Sequence, residues 1–361
     1  MKPHVVLYAS IGNNVPAYLI GGGETGTRRT IQILKDAGFE TTVVDKAIMG
    51  LGAKRYVKMI IQGFCKIRKE LKNDPNSIMF VVGYYERNLW FEWIVITLAK
   101  RMGHRCVYEA RNGRLVNAFN AAGKIYQHFM LDLLDKADVV LCQGIEYVDF
   151  ISKKLKKESV YVPNYVMDDK LQLYKQRKID DIIKIVYSGR LVESKNLEVM
   201  INVVSLLKSR GYNTKLTLIG GGTEEYVRKL KEKIRECNVE DDVRFTGHIS
   251  FDKASAYLSE AHYFLFPSQE IKEGHSNSLT EAMAFGVVPL VSTAGFSSSI
   301  VNDKNLVIAD IDSNKYADKI CEINQSGQWE QYSRNMYDRV RKYYTETCVR
   351  EKIVKAFRSL V

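Results

Sequence analysis

The sequence predicts an α/β protein made of two Rossmann-like domains that face each other across a cleft. Three observations carry that prediction. Short apolar, β-branched runs alternate with amphipathic segments along the whole chain, the pattern of parallel strands wrapped by helices. The series restarts after a polar stretch that opens with Pro163, Asn164 and Tyr165. The 361 residues are too many for one core of ordinary size and suit two. The predicted domains are residues 1–165 and 166–334, with a C-terminal helix at about 335–361 that either closes the second domain or packs back on the first.

In the first domain, β-branched runs predict strands at 4–10, 40–45, 77–83, 106–110, 138–143 and 160–164. Helices fit between them near 25–37, 53–72, 89–103, 120–137 and 145–157. The apolar run Leu89–Ala99 contains Glu92 and is far shorter than the roughly 18 residues of a spanning helix, so it reads as a buried helix. Over 53–72, Tyr56, Ile60, Phe64, Ile67 and Leu71 share one face beside seven cations. Two readings stand for it: a core-packed helix with a solvated face, or a contact with an anionic membrane surface. In the second domain the predicted strands are 184–189, 215–221, 243–247, 263–268, 288–292 and 306–310, and Trp329–Val361 is expected to be helical.

A hydrophobic content of 46% and a mean hydropathy of −0.21 exclude a disordered or membrane-spanning chain. The short run after Met1 reads as a first strand rather than a secretion signal. Six scattered cysteines with no CxxC argue against structural zinc and suit a reducing cytoplasm. Charge is uneven: residues 1–165 hold 24 Lys and Arg against 15 Asp and Glu, the remainder 29 against 27. A basic first half attracts phosphates or anionic lipid. It lacks the interleaved aromatics of a single-strand platform, so no nucleic-acid partner is expected.

Ligands of open α/β sheets bind beyond the carboxyl ends of the strands, which directs attention to the loops there. The run Glu273–Gly286 places one glutamate before a helix and another, Glu281, inside it. Ser278 and Glu281 have capping-box spacing, a sufficient structural reason for Glu281 alone. Glu273 has no such reason. With Gly274 allowing close approach, it puts a carboxylate near the amides of Asn277, Ser278 and Leu279, where a helix N-terminus favours an anion. Carboxylates beside an anion site accept hydrogen bonds from sugar hydroxyls, which describes a nucleotide-sugar pocket. In the loop after another strand, Arg190 and Lys195 are five apart across a strand–turn–helix junction.

Together, SGRLVESKN at 188–196 and the E-x7-E of EGHSNSLTE at 273–281 resemble family 4 glycosyltransferases, retaining nucleotide-sugar enzymes of the GT-B fold. IGGG at 219–222 and FTGHIS at 245–250 fall where that family has theirs, and a weaker likeness extends over the first domain. The resemblance implies that Arg190 and Lys195 hold the donor diphosphate, Glu281 the ribose hydroxyls and Glu273 the transferred sugar. Gly247 and His248 would present backbone groups to the base. Gly22 and Gly23 of a glycine-rich loop would face the diphosphate and the acceptor. Where many members carry a His after the fourth strand, this chain has Glu109, Arg111 and Asn112, as some bacterial relatives do.

The expected function is therefore a cytoplasmic glycosyltransferase of polysaccharide or lipid-linked glycan synthesis, with no cofactor and no metal. It would use a UDP- or GDP-type sugar and a glycan or lipid-linked acceptor at the inner membrane face. A nucleotide-sugar epimerase or a non-catalytic sugar-binding protein are the alternatives. Truncating Glu273 or Lys195 is expected to stop turnover and leave the fold intact. Asp310-Ile-Asp312 spells a metal-binding DxD but is read as a helix cap, and Gly220–Gly222 as a structural turn, because Glu224 and Glu225 would repel phosphate.

Overall fold

In the computed structural model the described residues are 2–12, 22–46, 53–179, 181–270 and 273–361. They fall into two compact units, one of residues 1–164 with 347–361 and one of residues 165–346.

Unit 1 is a parallel sheet with strand order β2-β1-β3-β4-β5-β6. Its strands are β1 (His4–Ala9), β2 (Glu40–Asp45), β3 (Ile78–Gly83), β4 (Cys106–Ala110), β5 (Val139–Cys142) and the two-residue β6 (Val160–Tyr161). The β1, β3 and β4 strands are buried along nearly their whole length, which is why they read as continuous apolar runs. Their crossovers are α1 (Gly22–Asp36), α2 (Ala53–Asn73), α3 (Leu89–Arg101), α4 (Leu115–Ala121), α5 (Lys124–Lys136) and α6 (Ile145–Leu155). The single helix expected over 120–137 is instead two, broken at Ala122 and Gly123, both of extended backbone.

Unit 2 is a parallel sheet of order β11-β10-β7-β8-β9. Its strands are β7 (Ile182–Ser188), β8 (Asn213–Ile219), β9 (Val243–Gly247), β10 (Tyr263–Phe266) and β11 (Val288–Val291). Its helices are α7 (Leu197–Ser209), α8 (Glu224–Glu236), α9 (Phe251–Glu260), α10 (Asn277–Ala284), α11 (Ser297–Val301), α12 (Ser313–Ser326) and α13 (Trp329–Tyr343). The strand expected at 306–310 is not one. A 3-10 turn over Lys304–Leu306 and a single bridge from Val307 to Val291 take its place, because a capping Asp303 bends the chain there.

The C-terminal helical segment divides at Tyr344 and Thr345. Val166 donates its amide to the Tyr344 carbonyl and accepts from the Glu346 amide, both at 2.9 Å. Beyond this clasp, α14 (Glu346–Arg358) belongs to unit 1 from Thr347 onward. There Phe357 packs edge-on against Phe39 and Phe80, and Arg350 pairs with Asp36.

Candidate active site

The carboxyl edge of the unit 2 sheet is laced by backbone. Gly189 donates to the Ile219 carbonyl, Leu191 to Gly221, and Gly220 to Gly247, at 2.8–3.0 Å. A side chain on Gly220 would lie 1.8 Å from the Gly189 carbonyl, so the IGGG run is glycine because two loops touch there. Thr223, not a glycine, caps α8, and Glu224 and Glu225 occupy its first turn, as a structural turn requires.

Between β7 and α7 the chain makes a 3-10 turn, Glu193–Lys195, closed by Asn196 in the left-handed region. The turn buries Lys195 to 6% exposure. Its ammonium forms an ion pair with Glu273 and donates to Ser268 Oγ at 3.4 Å, with the Phe266 ring 5.2 Å away. Ser268 Oγ donates to the same Glu273 oxygen at 3.0 Å. Three further bonds seam the two loops: Gln269 amide to Ser194 carbonyl (2.8 Å), Ser194 Oγ to Glu270 (2.8 Å), and Asn196 Nδ2 to the Pro267 carbonyl (2.7 Å). Glu273 is held from behind as well, since a side chain at Gly295, whose φ is +55°, would strike its carbonyl at 1.9 Å. The structure thus joins Lys195 to Glu273, 78 residues apart in sequence.

Arg190 is exposed, and no described residue pairs with its guanidinium. Its carbonyl accepts from the Tyr187 hydroxyl at 2.9 Å. Burial first, then the Glu273 carboxylate, pushes that hydroxyl well above its ordinary range, against the opposing pull of Arg190. Both charges therefore act on one buried point. Gly274 and Glu281 are half-buried, and Gly247 and His248 are exposed at the end of β9.

The helix start corrects two expectations. Ser276, not Ser278, caps α10, accepting from the Leu279 amide at 3.3 Å. Ser278 lies two residues past the cap, already inside the helix, so the capping-box reading of Glu281 falls, and the Leu279 amide is not available to an anion. Asn277 and Ser278 remain in the first turn, and Asn277 Oδ1 is buried with no partner among the described residues. Asp312 caps α12 by accepting from the Asn314 amide at 2.9 Å, and Asp310 pairs with Lys315, so the DxD is spent locally. Among the described residues no group of three or more side chains could hold a metal ion.

In unit 1, Gly22 and Gly23 form the first turn of α1 rather than a loop, while Gly21 lies outside the described residues. Glu109 and Arg111 are each 3% exposed. Arg111 Nε and Nη2 donate to the two Glu109 oxygens at 2.8 and 3.0 Å, and Nη1 to the Gly23 carbonyl (2.6 Å) and Thr27 Oγ1 (3.0 Å). With four bonds made, this pair fixes the start of α1.

A second buried pair lies at the same edge and escaped the sequence reading. Lys46 donates to Glu92 at 2.5 Å, and Glu92 also accepts from the Tyr84 amide (2.9 Å), the Tyr85 amide (3.3 Å) and the Tyr108 hydroxyl (2.8 Å). Burial holds the Lys46 ammonium below its ordinary value against the raising effect of Glu92. The glutamate interrupting Leu89–Ala99 was the available signal. Its bonds hold the β3–α3 turn, where Tyr85 and Glu86 have φ of 34° and 53°, a conformation that such residues rarely adopt.

Residues 168–343 match the profile of the glycosyl transferases group 1 family. Protein CapJ of Staphylococcus aureus is 34% identical over 133 residues, which are 37% of this chain and 33% of that protein. The amylovoran biosynthesis glycosyltransferase AmsK of Erwinia amylovora is 33% identical over 35% of this chain and 31% of its own length. The chain thus spans about a third of the first curated relatives that it matches. A longer match, 24% identical over 71% of this chain and 70% of the other, is the capsular polysaccharide biosynthesis glycosyltransferase CapM of Staphylococcus aureus. Among solved structures, sucrose-phosphate synthase from Thermosynechococcus elongatus superposes with TM-score 0.76 over 99% of both chains at 16% identity. Anabaena HepE, solved with UDP, gives 0.72 over 99% of this chain and 100% of its own at 11% identity. The chain has the GT-B fold, and the group 1 match covers nearly all of its second unit, residues 165–346.

Proposed function

We propose that this protein transfers a sugar from a nucleoside-diphosphate sugar to a hydroxyl of a glycan or lipid-linked acceptor, in the synthesis of a cell-surface polysaccharide. The observation that carries the reading is the buried Lys195–Glu273 pair at the carboxyl edge of unit 2, with exposed Arg190 on the adjoining loop and the start of α10 beside it. As the glycosidic bond breaks, negative charge collects on the departing diphosphate. Preset cations lower that barrier, and removing one such stabiliser costs about 10²–10³ in rate. On this reading Arg190 and Lys195 take the diphosphate together with the Asn277 and Ser278 amides. Glu273 holds the transferred sugar, with Gly274 beside it, and Glu281 takes the ribose. The backbone at Gly247 and His248 meets the base. Transfer proceeds with retention and without a metal. The acceptor is presented at the inner membrane face.

The group 1 match over the second unit and capsular and exopolysaccharide relatives support the reaction class. HepE, of the same fold, was solved with UDP-glucose, which supports UDP as the first donor to try. The test is a thermal-shift panel of UDP-, GDP- and ADP-sugars, followed by product analysis with and without chelator. A ligand at 100 times its dissociation constant adds about 2.7 kcal/mol of stability. Stabilisation by one nucleotide class and chelator-insensitive transfer are expected. Stabilisation by none sinks the reading, and conversion of the donor sugar without an acceptor would make the protein an epimerase.

A further inference from the structure

We infer that unit 1 docks on an anionic lipid bilayer through an apolar rim shared by α2, α3 and α5. The inference rests on the transferase reading only in assigning the docked surface to presentation of the acceptor. The observation is where exposed apolar side chains collect. Of nine large hydrophobic residues that the described chain exposes, five lie on these three helices: Val57 and Ile61, Trp90 and Ile94, and Ile125. The helices are neighbours. α2 packs on α3, and α3 packs on α5 through edge contacts of Trp90 with Tyr126 (6.1 Å) and Phe129 (5.2 Å) and of Trp93 with Phe129 (4.7 Å). On α2 and on α3 the exposed residues are four apart, so each helix turns one short apolar ridge outward. The lower part of α2 behaves differently, with Ile67 and Leu71 buried in the core.

The ridges sit at one end. Val57, Ile61, Trp90 and Ile94 lie in the opening turns of helices that follow strands, and Ile125 is the second residue of a helix that leads into β5. In a parallel sheet those positions are at the carboxyl edge, the edge that also carries the Arg111 and Lys46 pairs.

Charge selects the occupant. Lys54, Arg55 and Lys58 interleave with Val57 and Ile61, Arg87 precedes Trp90, and Lys124 precedes Ile125. All five are exposed, and none is paired among the described residues. The first turns of α2 and α5 contain no acid, and the acids next to α3 are engaged, Glu86 with Arg114 and Glu92 with Lys46. Unpaired cations around apolar and tryptophan side chains match the headgroup and upper acyl layer of an anionic membrane. Each cation near such a surface is worth about a fivefold gain in partitioning. No helix among the described residues is long and apolar enough to cross a membrane, so the contact is interfacial.

The experiment is co-sedimentation of the full chain with vesicles of phosphatidylcholine alone and of phosphatidylcholine with phosphatidylglycerol, with tryptophan fluorescence read in parallel. Binding to the anionic vesicles, a blue shift that Trp90→Phe removes, and at least a tenfold loss in Val57→Glu/Ile61→Glu are expected. A Lys54→Gln/Lys58→Gln variant should lose binding by about 25-fold, as two cations at fivefold each require. Thermal shift by the donor nucleotide is measured on every variant and should not change. Binding of the wild type to nucleotide but to neither vesicle overturns the docking surface and leaves the transferase reading standing. The reverse pattern does the opposite. If the Glu variants change the oligomeric state in light scattering but not sedimentation with vesicles, the rim is a protein interface and the inference fails.

Discussion

The Lys195–Glu273 pair changes what a mutation at the site should do. Truncation of either residue with the fold intact, as the sequence suggests, does not fit two side chains that are 7% and 12% exposed and bonded to each other. Removing one leaves the other charge buried and unmatched, which costs about 3–5 kcal/mol. Lys195→Met and Glu273→Gln should therefore each lower the melting temperature as well as kcat. The double variant should recover much of the stability and none of the activity. A double-mutant cycle by urea titration measures this, and additive stability losses would mean that the pair is not coupled. Two residues on, His275 is fully buried, 4.9 Å edge-on from Tyr344, with Arg339 near. Burial first, and Arg339 second, lower its pKa from 6.5 to about 3. The unfolded chain thus takes a proton that the native state refuses between these values. Stability should fall as pH drops from about 6.5 towards 3, with a slope approaching 1.4 kcal/mol per pH unit from this group. Urea midpoints at pH 7 and 5 should converge in His275→Gln; an undiminished slope there would assign the acid sensitivity elsewhere. The roles of these residues divide by legibility. Glu273 and Lys195 stood out because each lies in a loop that follows a strand. Their union did not, because nothing in local spacing encodes a contact across 78 residues.

At the scale of elements, buried parallel strands were the most legible feature, because burial on both faces forces a continuous β-branched run, as in Ile78–Gly83 and Val288–Val291. Boundaries set by single polar groups were less so. The helix expected over 120–137 is divided because Gly123 leads α5 in extended conformation, and Gln127 ties the break by donating to the Phe119 and Ala122 carbonyls at 2.9 and 3.0 Å. The run at 306–310 has strand composition, yet Asp303 caps a 3-10 turn and leaves only one bridge to β11. At α10, Ser276 and Ser278 are both plausible caps by residue type. The backbone decides: Ser276 is extended at φ −73° and ψ 118°, and Ser278 is already helical. The amphipathic face of α2 was legible as a periodicity, but not its division. Ile67 and Leu71 enter the core, while Val57 and Ile61, outside the face read from the sequence, stay exposed.

At the scale of the whole molecule, the chain sorts its charge between two separately built cores. Unit 1 holds 28 Lys and Arg against 16 Asp and Glu, whereas unit 2 holds 25 against 26, so the excess of +11 belongs entirely to unit 1. The unit that carries the group 1 match is close to neutral, and the diphosphate site proposed there rests on two cations, Arg190 and Lys195. The basic unit depends on α14, which arrives from the far end of the chain and inserts Phe357 between Phe39 and Phe80. Each unit has its own sheet and core, so melting should resolve into two transitions that separate perturbations address one at a time. Phe357→Ala removes a fully buried aromatic from unit 1 and should cost about 3–5 kcal/mol. For a unit of this size that lowers its transition by roughly 10 °C. A saturating donor nucleotide bound at Lys195 should leave that transition in place and raise the unit 2 transition by roughly 5–10 °C. Differential scanning calorimetry of the wild type and Phe357→Ala, each with and without UDP, measures both shifts. A nucleotide that raised only the transition lowered by Phe357→Ala would put its binding site in unit 1, and the diphosphate role given to Lys195 and Arg190 would be lost.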